Sequence, residues 1–306
     1  MGIPSEKLEI TCQSCGAAMV IEPELRTARC PYCDSPSVVD RPETADRPDP
    51  AFVIGFAVDR NRATARMREF IARRKMAPFG LKDKTADRVY GVYLPNYIYS
   101  ATAASRFSAN IAEEYESVGV HSDSDGSVSV GKKRKTEYYG LQGVHTTSLG
   151  DIVVTASRGI SNAEIEAIEP FEPEGLRRYS AAMISGWISE EPTLTREETL
   201  DLARAEARSK VTELLRRFMP GDGYSNLRQR TALHEESIDL TLLPVWVFAI
   251  RHSEQKPPIR VLVNGQTGAV GGTIPISWGK IAIIAAIVSG LLALPGLIGI
   301  VMELFR

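Results

Sequence analysis

All four cysteines of the chain fall in one short segment, as Cys12-Gln-Ser-Cys15 and Cys30-Pro-Tyr-Cys33, with fourteen residues between the pairs. Two C-x-x-C turns at this spacing can bring four thiolates to the corners of a tetrahedron, the geometry Zn²⁺ adopts with Zn–S bonds of about 2.3 Å. Gly16 after the first pair eases the tight turn that points backbone N–H groups at sulfur, and Asp34 holds the matching place in the second. A disulfide pair is disfavoured by the reducing compartment expected for this chain. A redox dithiol is disfavoured because neither pair is followed by a helix pattern, and an iron site is the other metal reading. With Cys12, Cys15, Cys30 and Cys33 all bound, no coordination position stays open for water or substrate, so the metal would be structural. A segment of about 35 residues buries too little surface to fold alone. The metal would then contribute folding free energy on the order of 10 kcal/mol. We therefore expect a zinc ribbon over 1–39 with one structural Zn²⁺ per chain.

The 22 residues from Ile281 to Met302 carry no charge. At about 1.5 Å per residue they would reach roughly 33 Å as a helix, enough for the roughly 30 Å hydrocarbon core of a bilayer. The run predicts a C-terminal transmembrane helix within 277–306, with Trp278, Lys280, Phe305 and Arg306 as its membrane-interface residues. The opening MGIPSEKLEI has no basic stretch followed by an apolar one, so no signal peptide is expected. These features place a single-pass, tail-anchored protein in the inner (cytoplasmic) membrane, in contact with the lipid bilayer and with the bulk of the chain cytosolic. Ala282, Ala286 and Gly290, spaced by four, also suggest an oligomer formed through the membrane helix.

Between these ends, 40–50 is charged and proline-rich and reads as an extended linker. Residues 51–276 read as a cytosolic α+β region with antiparallel strands. A weak duplication divides it at about 51–157 and 158–276: Ile54-Gly55-Phe56 and Ser185-Gly186-Trp187 each precede an amphipathic helix, near 61–75 and 196–219. Each helix leads to a similar strand, Val92 to Tyr99 and Thr241 to Phe248. Thr195 and Glu198 form a capping box for the second helix, with Leu200, Ala203, Ala207, Val211 and Leu214 on one face. Asn264 to Gly268 reads as a hairpin turn, and residues 101–157 as short alternating strands around polar tips.

Two basic clusters stand out, Arg62, Arg66, Arg73 and Arg74 on the first helix and Lys132, Lys133, Arg134 and Lys135 at a turn. Such clusters usually face water; they could also contact anionic lipid or nucleic acid. The net charge of −2 argues against a globally nucleic-acid-seeking protein. His121, His145, His234 and His252 stand alone, and no G-x-S-x-G, H-E-x-x-H or Rossmann glycine pattern occurs, so no enzyme is expected.

A C-x-x-C-G and C-P-x-C ribbon, then YLPNYIYSA, LLPVWVFAI, VNGQTGAVGG and PIS before an apolar tail, resembles bacterial membrane proteins with a transcription-factor-IIB-type zinc ribbon. Some of these bear names borrowed from primosomal protein N′, although the Walker and motor motifs of a helicase are missing here. The resemblance implies association with phage-shock-protein A-like and SPFH-type proteins in envelope stress. The resulting expectation is a non-enzymatic, membrane-anchored, zinc-binding scaffold or adaptor that recruits protein partners. The alternative is a membrane-tethered nucleic-acid-binding zinc-ribbon protein using the ribbon and the Arg62-to-Lys75 helix.

Overall fold

The computed structural model describes residues 8–12, 14, 16, 18–22, 25–30, 33, 35–39, 48–83, 86, 88–122, 128–252 and 258–289. In chain order the elements are β1 (Leu8–Thr11), β2 (Ala18–Ile21), β3 (Thr27–Arg29), β4 (Pro36–Val38), β5 (Phe52–Ile54), α1 (Arg60–Ala72), β6 (Arg88–Ser122) and β7 (Val128–Thr155). They continue with α2 (Asn162–Glu166), β8 (Leu176–Arg178), α3 (Ala181–Ile184), β9 (Ile188–Ser189), α4 (Arg196–Phe218), β10 (Gly223–Ile250), β11 (Ile259–Asn264) and β12 (Val270–Gly272). Two small hairpins, β1–β2 and β3–β4, precede an eight-stranded mixed sheet. The chain divides into two compact units, one of residues 1–96, 157–193 and 241–306, the other of 97–156 and 194–240, so β6 and β10 contribute to both.

In the first unit β10 is antiparallel to β11 from Val245 to Ile250 and parallel to β5 at Thr241 and Leu242. Pro244 falls between these two ladders, where its missing N–H is not needed, and its carbonyl accepts from Gly265 N at 2.8 Å. Asp59 caps α1 by accepting from the backbone of Asn61 and Arg62. The helix then buries Ala63, Met67 and Ile71, one side chain per turn, against Trp246, Phe248, Ile250, Val261 and Val263. Phe56 stacks on Trp187 at 4.1 Å and meets Trp246 and Tyr93 edge-on. At the end of β11, Asn264 is fully buried with its amide satisfied: Nδ2 donates to the carbonyls of Ile168 and Pro170, and Oδ1 accepts from Gln266 N and Thr267 N.

In the second unit α4 lies against the sheet. Thr195 Oγ1 accepts from Glu198 N, and the Glu198 carboxylate accepts from Thr195 N at 2.8 Å, completing the capping box. The helix buries Ala203, Ala207, Val211 and Leu215 among Tyr97, Tyr99, Phe107, Ile152 and Val154. A strict spacing of four carries the buried line to Leu215, so Leu214, which the sequence pattern placed on it, is 38% exposed.

Several expectations need correction. The region is not a pair of related α+β units with antiparallel strands. The two strand motifs taken as equivalents are interleaved in one mixed sheet: β5 pairs parallel with β10, while β6 pairs parallel with β9 at Val92 and Tyr93. Phe56 and Trp187, expected at equivalent places in two units, stack on each other. The short strands expected over 101–157 are stretches of β6 and β7, which run to 35 and 28 residues. The transmembrane helix and the tail-anchored, inner-membrane location are also corrected, because no helix among the described residues is long and apolar enough to cross a membrane. Residues 278–289 are helical. The remaining part of the predicted span, 290–306, lies outside the described residues.

Candidate metal centre

Three of the four predicted ligands come together. Cys12 follows β1, Cys30 follows β3, and Cys33 sits in the turn before β4; their sulfurs all lie within 4.8 Å of one another. Cys15 lies outside the described residues. Cys12 and Cys30 are each 1% exposed, and Cys33 is exposed. The Sγ atoms of Cys12 and Cys33 are 3.8 Å apart. That is far beyond a disulfide bond of about 2.05 Å. It matches the edge of a tetrahedron with 2.3 Å metal–sulfur bonds, which is about 3.8 Å. The three sulfurs could hold a metal ion.

Local backbone builds this arrangement. Gly16, at φ +73°, turns the chain so that its N–H donates to the Cys12 carbonyl at 2.9 Å. Cys30 N donates to the Ser35 carbonyl at 3.0 Å, closing the second turn. The Ser35 hydroxyl lies 3.3 Å from Cys12 Sγ and 3.0 Å from Cys33 Sγ, so one side chain reaches sulfurs from both turns. A hydroxyl hydrogen bond to a ligand sulfur orients it and offsets its charge.

The second hairpin is seated on the body of its unit, a feature the sequence did not announce. Arg26 is 6% exposed; its guanidinium donates to Glu191 at 2.9 Å and to Asp49 at 2.7 Å. Burial works to lower the Arg26 pKa, but Glu191 and Asp49 more than offset it and hold the guanidinium firmly charged. Arg26 N donates to the Ser189 carbonyl, Thr27 Oγ1 donates to the Trp187 carbonyl, and Ser189 N donates back to Thr27 Oγ1 at 2.9 Å. Trp187 is the ring that stacks on Phe56, so the hairpin rests on the backbone of the unit's aromatic core.

The other predicted site residues are dispersed. On α1, Arg73 and Arg66 pair with Glu69, Arg74 lies 4.6 Å over the Phe70 ring, and Arg62 is exposed. Lys132 pairs with Glu116 at 2.9 Å, while Lys133, Arg134 and Lys135 are exposed along β7. Trp278 is 79% exposed. Lys280 Nζ donates to the Lys75 carbonyl at 3.1 Å and sits 5.0 Å from the Phe79 ring, so this side chain is spent on the segment after α1. Phe305 and Arg306 lie outside the described residues.

No family model matches the chain. No solved structure matches it either. The chain is similar to the uncharacterized protein YdjG of Bacillus subtilis (strain 168), with 26% identity over 239 residues, or 76% of this chain and 66% of the relative. It thus spans just under two thirds of that protein's length.

Proposed function

We propose that the chain is a non-enzymatic zinc-ribbon adaptor. Cys12, Cys15, Cys30 and Cys33 bind one Zn²⁺ with no open coordination position, and the ribbon presents a surface to a protein partner. The single observation that carries this reading is the 3.8 Å Cys12–Cys33 sulfur separation, a tetrahedral edge reached by residues 21 positions apart in sequence. Cys15 would take the fourth corner from the turn that begins at Cys12. A closed thiolate site holds its metal for structure, which leaves recognition as the task of the ribbon surface. Arg26 favours a protein over a phosphate backbone as the partner, because its guanidinium is consumed by Glu191 and Asp49. The phage-shock-protein A-like and SPFH-type proteins implied by the family resemblance are the partners to try first. Purified full-length chain and each candidate should form a complex that Cys12→Ser together with Cys30→Ser abolishes. A complex unchanged by that double substitution would remove the ribbon from the recognition surface.

A further inference from the structure

A separate feature, independent of the ribbon reading, lies in the unit formed by 97–156 and 194–240. Side-chain contacts fix the strand register there. Ser105 and Thr231 share a hydrogen bond at 2.8 Å, Thr102 donates to Glu235, and Glu114 N donates to Asp222, so β6 and β10 run in opposite directions. A Cβ at Gly143 would touch the Phe107 ring at 3.0 Å, which sets β7 beside β6. Phe107 points to the α4 side, among the core residues of that helix. Alternation therefore turns Arg106 and Ser108 to the opposite face, where they neighbour Arg230 and Arg228 on β10 and Gln142 on β7. Those five residues line one open surface depression of about 360 Å³.

The charge arrangement is unbalanced. Two arginines of this unit hold carboxylates, Arg204 through two bonds to Glu236 and Arg217 to Glu213. Among the described residues Arg106, Arg228 and Arg230 have no hydrogen-bonding or acidic partner, and all three are exposed. Like charges directly across a strand pair destabilise it, so Arg106 beside Arg230 costs free energy until an anion lies between them.

We propose that this hollow is a binding site for a multiply charged phosphate oxyanion. Guanidinium groups grip phosphate oxygens in bidentate fashion, and the Ser108 hydroxyl and Gln142 amide add neutral donors beside them. Three positive charges favour a condensed phosphate or consecutive phosphodiesters over a monocarboxylate. Recognition rests on charge and donor geometry, because the one ring bordering the hollow, Phe107, is committed to the core.

The test uses the full chain with sodium tripolyphosphate as probe, and a short oligothymidylate as the second arm. The parent should bind tripolyphosphate, melt at a higher temperature in its presence, and lose affinity as salt rises. Each guanidinium removed should weaken binding about tenfold, the scale of one charge-assisted hydrogen bond. The combination of Arg106→Gln, Arg228→Gln and Arg230→Gln should abolish the melting shift. Without ligand this variant should melt no lower than the parent, since only exposed, mutually repelling charges are lost; a purely structural role would lower it. Tighter binding of oligothymidylate than of tripolyphosphate would identify phosphodiesters as the source of the phosphate, and the reverse order a free oxyanion. No melting shift with either probe, or undiminished binding in the triple variant, would overturn the site.

Discussion

Replacing Arg26 by alanine probes the seat of the ribbon, because the side chains of Arg26 and Glu191 are only 8% and 4% exposed. The substitution strands the Glu191 carboxylate in a site where solvent cannot reach it. Breaking a buried pair from one side costs about 3–5 kcal/mol. The bond to Asp49 adds little, since that carboxylate is half exposed and an exposed pair contributes at most about 1 kcal/mol. In a domain of roughly 200 residues, about 3–5 kcal/mol lowers Tm by on the order of 10 °C. Urea unfolding followed by tryptophan fluorescence is a suitable assay, because Trp187 and Trp246 lie in the same aromatic cluster of the unit. The companion substitutions are Arg26→Met and Glu191→Leu, each alone and the two together. Two apolar side chains of similar volume leave no stranded charge, so the double variant should be more stable than either single one, with a coupling of about 2 kcal/mol or more. An Arg26→Ala protein within about 1 kcal/mol of the parent would refute this account of docking, as would additive single effects.

Cys30→Ser should remove the bound metal and unfold both small hairpins while the α1 face of the sheet stays folded; circular dichroism and metal analysis would check this, and retained metal would count against it. Thr195→Ala should cost α4 about 1 kcal/mol in urea unfolding, because one side of its capping box is lost. The Glu236 carboxyl is held below its usual pKa first by the Arg204 guanidinium and also by the Tyr99 hydroxyl, with burial opposing. A depressed folded pKa contributes stability above the unfolded value of about 4.3 that is lost as pH falls through the folded value, so Glu236→Gln should flatten the acid limb of the stability curve below about pH 4. Tyr99, pushed up to about 12 by burial and then by Glu236, should act at the other extreme: its contribution is complete below about pH 10 and is lost as pH rises toward 12, and Tyr99→Phe should remove that loss.

The convergence of three cysteines was legible because its signal is local. Two C-x-x-C turns specify a site by spacing alone, and Cys12, Cys30 and Cys33 do converge. The α1 and α4 faces were legible for the same reason, since a period near four residues needs no distant partner. Long strands hide better. Residues 131–140 of β7 are exposed on both faces, so no alternation marks them, and Gly131, Gly140, Gly143 and Gly150 interrupt the side-chain pattern. Gly143 is instead the space into which Phe107 fits. Arg26 gave no signal at all, because its buried partner Glu191 is 165 residues away and pairing at that range is set by topology. The uncharged run beginning at Ile281 satisfied a length rule, yet no helix among the described residues is long and apolar enough to cross a membrane.

The central claim is a ribbon closed by one tetrahedral thiolate-bound zinc. Native mass spectrometry of the full-length chain, purified without chelator, tests it most directly. One zinc per chain with four thiol protons displaced, and no zinc on the Cys12→Ser, Cys30→Ser protein, is the predicted result. A metal-free chain whose four cysteines all react freely with a thiol reagent while the fold is intact would contradict it.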